Sequence, residues 1–204
     1  MQKYQIQIRE IYKKLGKEYL NNIKDLEPAE MKKFIKLIPR GGLILDVGCA
    51  GGKDSNKFIK ADFKVIGIDL VDEFIKIAKK NVSKGKFKVM DLVDINFPRN
   101  YFDGIWAVAV LLHIEKKDIL KTLKSLYSIL KPGGFINIRV KRGGDPKSYL
   151  DEWSKNTNRN FTFFFKSELE KYIKTAGFKI VRSTTVLDEA KRKNVKWISV
   201  IATK

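Results

Sequence analysis

Apolar positions along this chain switch between a helical period and short buried runs. From Met1 to Asn22, Ile6, Ile8, Ile11, Tyr12, Leu15, Tyr19 and Leu20 recur at three- and four-residue steps. That spacing predicts an amphipathic helix with Lys13, Lys14 and Lys17 on its wet side. Met31, Phe34, Ile35 and Ile38 form a second helical stripe with Pro28 near its first turn, and Pro39-Arg40-Gly41-Gly42 stops it. Five apolar runs follow, at Leu43–Val47, Lys64–Asp69, Lys86–Met90, Phe102–Val108 and Phe135–Val140. Each reads as a buried strand. Helical stripes separate them: Asp54 to Lys60, Phe74 to Val82, and Ile119 to Leu130. The last of these is closed by Lys131-Pro132-Gly133-Gly134.

Strands that alternate with helices imply a parallel, doubly wound sheet. Ligands in such sheets bind outside the carboxyl ends of the strands. Asp46, Asp69, Asp91 and Ala107 fall at those ends, so chain order alone sets them along one edge. The last quarter differs. Arg142 to Asn160 is polar and aperiodic, and is expected to be a long loop with a short helix around Tyr149 to Trp153. Ser167 opens a helix through Leu169, Tyr172 and Ile173. Phe178–Thr185 and Val195–Thr203 are alternating strands joined by a short polar loop, which predicts an antiparallel pair at the end of the sheet.

Length and composition narrow the class. The 204 residues suit one domain with a sizeable core, and 44% hydrophobic with 11% aromatic content is that of a globular chain. No run is long enough to span a membrane, and the first residues lack the apolar core of a secretory signal. With one cysteine, Cys49, no intrachain disulfide forms, and a cytoplasmic location is expected. One cysteine and one histidine supply no structural zinc set, so no metal is expected. The net charge of +19 favours contact with nucleic acid, although the lysines are scattered over what read as solvent faces.

The chemistry concentrates in Leu43-Ile44-Leu45-Asp46-Val47-Gly48-Cys49-Ala50-Gly51-Gly52-Lys53-Asp54, a strand that breaks into a small-residue turn. Such a turn lets backbone approach a ligand, with free N–H groups at the next helix start. A phosphate-cradling P-loop needs glycine five residues before the Gly-Lys pair and Ser or Thr after it. Here those positions are Val47 and Asp54. A dinucleotide fingerprint fails at Ala50 and Lys53, and an acid in the turn repels a pyrophosphate. What remains is Asp46-x-Gly48-x-Ala50-x-Gly52.

In this motif the chain resembles the class I S-adenosylmethionine-dependent methyltransferases. The likeness continues in order. Gly67-Ile68-Asp69 is similar to the family's ribose-binding strand end, seventeen residues past Gly52. Met90-Asp91-Leu92 is similar to the adenine-contacting segment. Phe102 to Ile114 resembles the fourth strand and its loop, and Leu130-Lys131-Pro132-Gly133-Gly134 the turn before the fifth. Asn158-Arg159-Asn160-Phe161, Ala176-Gly177-Phe178 and Trp197-Ile198-Ser199-Val200 resemble small single-domain bacterial and archaeal members, including the tellurite-resistance type. The resemblance covers Leu43 to Lys204. It implies an α/β, Rossmann-like, doubly wound and mostly parallel seven-stranded sheet with an antiparallel terminal strand. Residues 1–204 are then one domain, with 1–40 as N-terminal helices forming a lid or extension and 43–204 as the catalytic core.

The resemblance further implies S-adenosylmethionine as donor and S-adenosylhomocysteine as product. The methyl group would pass to an O, N or S atom of a small molecule. Alternatives are an RNA acceptor and a non-catalytic adenosylmethionine-binding protein. Its cofactor positions fall on Asp46, Gly48, Cys49, Ala50, Gly52, Asp69, Leu70, Asp91, Leu92 and Ala107. The donor lacks phosphates, its ammonium suits an acid such as Asp46, and its ribose hydroxyls can donate to Asp69. Each residue also has a purely structural reading: Asp69 can cap the next helix, and the Cys49 side chain can pack as a small hydrophobe. His113 is the candidate general base, or a residue that supports its loop. Arg139, Lys141 and Arg159 are candidate substrate ligands that favour an anionic molecule. Tyr12 and Tyr19 are read as packing, with a lid as the alternative, and Phe161, Phe163, Phe164 and Phe165 as core. Ala50 departs from the commoner glycine; if the turn needs positive φ there, its methyl group is strained.

Overall fold

A computed structural model describes residues 3–144, 161–192 and 195–204. The elements run α1 (Lys3–Ile23), α2 (Met31–Ile35), β1 (Leu43–Val47), α3 (Lys53–Lys60), β2 (Lys64–Asp69), α4 (Asp72–Asn81), β3 (Lys86–Val89), β4 (Phe102–Val108), α5 (Lys116–Ile129), β5 (Leu130–Lys141), α6 (Lys166–Thr175), β6 (Lys179–Leu187) and β7 (Lys196–Thr203). The seven strands form one sheet in the order β3-β2-β1-β4-β5-β7-β6. Neighbours from β3 through β5 are parallel, and β7 is antiparallel to both β5 and β6. This is the expected sheet, with β7 inserted between β5 and β6. The order reverses at β1, which pairs β2 on one side and β4 on the other. That switch point opens a crevice at the carboxyl ends of the strands.

Strand alternation sends successive side chains to opposite layers. Leu45, Val47, Ile105, Ala107, Ile136 and Ile138 pack under α5 and α6 residues such as Leu123 and Leu169. Ile44 and Trp106 face the other way, against Phe34 of α2 and Phe58 of α3. Asp46 shares that second layer by its place in the alternation. Helix α1 buries Gln5, Ile8, Ile11 and Tyr12, while Lys13, Lys14 and Lys17 stay exposed. It breaks at Gly16, whose φ of 47° and ψ of −131° leave the helical region. Ile8 and Tyr12 pack with Ala50, Val71 and Phe74, so α1 crosses the carboxyl edge of the sheet.

Strand β5 departs from expectation by starting at Leu130. Leu130 is fully buried and pairs with Phe102, and Phe135 then pairs with Gly104. The Lys131–Gly134 turn is therefore an excursion within the strand pairing. Phe165 is 59% exposed rather than core, because it precedes α6 as its cap. The expected short helix around Tyr149 to Trp153 lies outside the described residues.

Candidate active site

The turn after β1 is held from inside. Gly48 has a φ of +70°, and a Cβ there would meet Val110 Cγ2 at 2.8 Å. Glycine is therefore required by both conformation and space. The N–H groups of Gly48 and Cys49 both donate to the Ile68 carbonyl, at 2.8 and 3.0 Å. Ala50 has a φ of 46°, which directs its N–H to Asp69 Oδ2 at 2.9 Å. Asp69 Oδ1 accepts the Val71 N–H at the cap of α4, also at 2.9 Å. The expectation of free amides is thus corrected for these three residues: they stitch the β1 turn to β2. An anion cradle is not built this way. Burial raises the Asp69 pKa to about 6, against the opposing pull of the Val71, Ala50 and Leu70 amides.

Beside this turn lies a cavity of about 720 Å³, partly open to solvent. Gly48, Ala50, Asp69, Leu70, Asp91, Leu92, Ala109 and Val110 line it, with Tyr4, Gln5, Ile8 and Tyr12 of α1 as its cover. Its wall holds two carboxylates and, among the described residues, no lysine or arginine. Asp91 Oδ1 accepts the Val93 N–H at 2.9 Å and so caps the 3-10 turn Leu92–Asp94. Burial raises the Asp91 pKa as well.

A second cavity, of about 930 Å³, adjoins it on the β4–β5 side. Asp46, Cys49, Asp54, Trp106, Arg139, Lys141, Phe161, Asp188, Glu189 and Trp197 are among its walls. Asp46 is 2% exposed and accepts the Ser55 hydroxyl at 2.6 Å. Burial, and then the charge of Asp54, push its pKa up to about 7. Asp54 accepts from Trp106 Nε1 at 3.1 Å and pairs with Lys53 at 2.5 Å. Arg139 forks onto both oxygens of Glu189, lies 3.5 Å from Glu30 and stacks 4.9 Å over Trp197. Asp188 takes a two-pronged bond from Arg192 and one from Trp197 Nε1. Those bonds hold its pKa at about 2 against the opposing effect of burial, the largest single influence on it.

Six residues line both cavities: Tyr12, Tyr19, Gly48, Ala50, Ala109 and His113. The Tyr12 hydroxyl and His113 Nε2 share a hydrogen bond of 2.9 Å across this boundary. Tyr12 also packs edge-on against Tyr19, Phe74 and His113. Tyr4–Asp118, Arg9–Asp72 and Lys13–Glu73 contacts fasten α1 at other points, at 3.2, 2.9 and 3.0 Å.

The structure thus gathers Asp46, Gly48, Cys49, Ala50, Asp69, Leu70, Asp91, Leu92, His113, Arg139 and Lys141 around two joined cavities. Ala107 lines neither cavity: alternation along β4 buries its side chain in the α5 layer, and Ala109 at the strand's end lines both. Gly52 caps α3 at φ +85°, facing Ala78 of α4 and Val82 just past its end, and lines neither cavity. Arg139 is not an open anion site, because two carboxylates already face it. Cys49 packs with Ile75, Ala78, Val82 and Phe87, and burial raises its thiol pKa well above the ordinary value. Arg159 lies outside the described residues. The sequence reading missed Gln5, Ile8, Asp54, Trp106, Asp188 and Glu189 as cavity walls. Only the alternation of Trp106 on β4 held a signal for any of them.

Residues 44–134 match the family model described as a methyltransferase domain. The chain is 31% identical over 156 residues to phosphoethanolamine N-methyltransferase 1 of Arabidopsis thaliana, covering 72% of this chain and 31% of that one. It is 32% identical over 124 residues to the Arabidopsis thaliana tRNA (carboxymethyluridine(34)-5-O)-methyltransferase, covering 59% and 30%. It therefore spans about a third of the length of these curated relatives. Among solved structures, Burkholderia thailandensis 1,6-didemethyltoxoflavin-N1-methyltransferase, with bound 1,6-didemethyltoxoflavin and S-adenosylhomocysteine, aligns with a TM-score of 0.77 at 20% identity. That alignment covers 98% of this chain and 88% of that one. Residues 44–134 thus match a methyltransferase domain, and the chain has the class I S-adenosylmethionine-dependent methyltransferase fold.

Proposed function

We propose that this chain is an S-adenosylmethionine-dependent methyltransferase that acts on an O, N or S atom of a small molecule. One observation carries the reading: two cavities meet at the switch point of the sheet, and the first has carboxylates at two successive strand ends with no lysine or arginine among its described walls. That wall fits a nucleoside without phosphates and opposes a dinucleotide.

In this reading Asp69 accepts the ribose hydroxyls, Asp91 faces the adenine amine, and Leu70 and Leu92 cover the ring. Asp46 faces the ammonium of the amino-acid end. When bound, adenosylmethionine supplies a methyl group already activated on a sulfonium. The chain's own share is then mostly alignment. Gly48, Ala50, Ala109, Tyr12 and Tyr19 line both cavities and so stand where donor and acceptor meet. Holding reactants in line is enough for a large acceleration. His113 stands at the boundary, where its imidazole can take the acceptor's proton. Residues 1–40 serve as the lid and 43–204 as the catalytic core, in the cytoplasm. No described helix is long and apolar enough to cross a membrane.

The net charge of +19 and the tRNA-modifying relative favour RNA as the acceptor. The second cavity favours a small molecule. Its wall carries four acids (Asp46, Asp54, Asp188, Glu189) and four bases (Lys53, Arg139, Lys141, Arg192), a balance that attracts no polyanion. A methyl-transfer screen with labelled donor decides. Label in metabolites and none in total RNA supports the small-molecule reading, and label in RNA alone overturns it.

A further inference from the structure

We propose that Glu189 is a built-in stand-in for the acceptor. Arg139 is the binding group for an anion on that molecule, a carboxylate or a phosphate monoester, and the Glu189 carboxylate fills the place until the acceptor displaces it. The inference rests on reading the second cavity as the acceptor chamber.

The geometry of the pair is that of a ligand complex. Both Glu189 oxygens engage the two Nη atoms of Arg139, the fork that guanidinium offers to any planar or tetrahedral oxyanion. The two partners come from unlike places. Arg139 is fixed in β5, its side chain 3% exposed. Glu189 belongs to the connection between β6 and β7, and its side chain is 27% exposed. A carboxylate that reaches in from the solvent side can return to water at small cost. Its other contact among the described residues is long, the Ala29 N–H at 3.4 Å.

Charge counting singles out Glu189 as the replaceable acid. Arg139 also faces Glu30, which is 3.5 Å away with its side chain 5% exposed. One guanidinium is neutralised by one carboxylate, and Glu30 is the buried one. Glu189, the more exposed of the two, is therefore the one that can leave; a carboxylate in its place keeps the cluster's charge unchanged, and a phosphate monoester adds charge that Lys141 can offset. Burying Arg139 with no second anion would leave half its fork unsatisfied, which explains why a stand-in is present. Lys141 lies two residues further along β5, on the same side of the strand, buried and on the same cavity wall. A second cation so placed suits a phosphate better than a single carboxylate. The exchange also reconciles the cavity's neutrality with an anionic acceptor. One small anion is admitted where a polyanion is not.

The test is calorimetry on the full chain saturated with S-adenosylhomocysteine, using phosphoethanolamine, inorganic phosphate and benzoate as probes and ethanolamine as the uncompensated control. Glu189→Gln keeps the side chain's size and one acceptor oxygen but removes the competing charge. It should bind the anionic probes at least tenfold more tightly than the parent protein and leave ethanolamine unchanged. Adding Arg139→Met to that variant should abolish the gain. Preference between phosphate and carboxylate probes names the source of the anion. Anion affinity within twofold of the parent, in a Glu189→Gln protein with an unchanged melting temperature, overturns the proposal. The same phosphate titration without S-adenosylhomocysteine isolates Arg139 from the cofactor reading. If the nucleoside fails to bind but phosphate still gains in Glu189→Gln, only that reading fails.

Discussion

Replacing Asp69 with asparagine probes the ribose assignment and the loop architecture together, and the two effects separate in magnitude. In the free protein Asp69 accepts one N–H from Ala50 and one from Val71. Asparagine offers one carbonyl oxygen and one amide donor, so one of those N–H groups loses its partner. A part-buried unsatisfied donor costs about 1–3 kcal/mol. An opposing effect returns part of this. The Asp69 pKa of about 6 shows that the folded state disfavours its charge, and asparagine carries none. The expected net loss of stability at pH 7 is therefore small, on the order of 1 kcal/mol. Ligand binding has no such offset. The amide carries no charge and has one acceptor oxygen in place of two, so the charge-assisted bonds from the ribose hydroxyls are lost. At about 1.5–3 kcal/mol this weakens Kd roughly 10- to 100-fold. Calorimetry with S-adenosylhomocysteine measures the affinity, and urea unfolding measures the stability. A cooperatively folded Asp69→Asn protein whose Kd stays within threefold of the parent would refute the assignment, leaving Asp69 as a helix cap alone.

Three further outcomes are expected. Gly48→Ala puts a Cβ 2.8 Å from Val110 at a φ of +70°; it should lower stability by about 1–3 kcal/mol, read from a shift in the urea midpoint, and weaken the cofactor analogue through the displaced Val110. Tyr12→Phe keeps the ring packed on Tyr19 and Phe74 but removes the bond to His113; melting should change little, by about 0.5–1.5 kcal/mol, while kcat falls more than KM rises in a methyl-transfer assay. pH acts in opposite directions on the free and bound protein. Asp46 and Asp69 have folded pKa values near 7 and 6, above their unfolded values, so the folded state holds more protons and free-protein stability falls as pH rises from about 4 to 7. Donor affinity needs both carboxylates ionised, so it should rise from pH 5 and level off above about pH 8, in calorimetry at fixed ionic strength.

The sequence exposed what is periodic or local. Alternating apolar runs located all seven strands, and the acids at three strand ends reach the cavities as their positions required. The β1 turn was legible down to its one awkward residue: Ala50 does adopt a positive φ, at 46°, and its N–H reaches Asp69 as a result. Ala107 and Gly52 lie off the cavity walls because the strand's alternation and the cap of α3 decide which neighbour faces the cavity. The pairings that shape the second cavity left no local trace. Tyr12 meets His113 across 101 residues and Arg139 meets Glu189 across 50. Each residue alone reads as an ordinary aromatic or a solvated charge, and only the folded sheet edge brings them together. The same holds for charge. A chain of net charge +19 reads as a polyanion binder, yet its internal wall is balanced by acids drawn from three separate segments.

The central claim is that the cavity beside Asp69 takes S-adenosylmethionine. Isothermal titration of the full chain with S-adenosylmethionine at pH 7.5 tests it directly, with NAD and ATP as phosphate-bearing controls. The account predicts one site per chain for S-adenosylmethionine, weakened by Asp69→Asn, and no heat with either control. Absence of S-adenosylmethionine binding at millimolar concentration, or tighter binding of NAD, would contradict it.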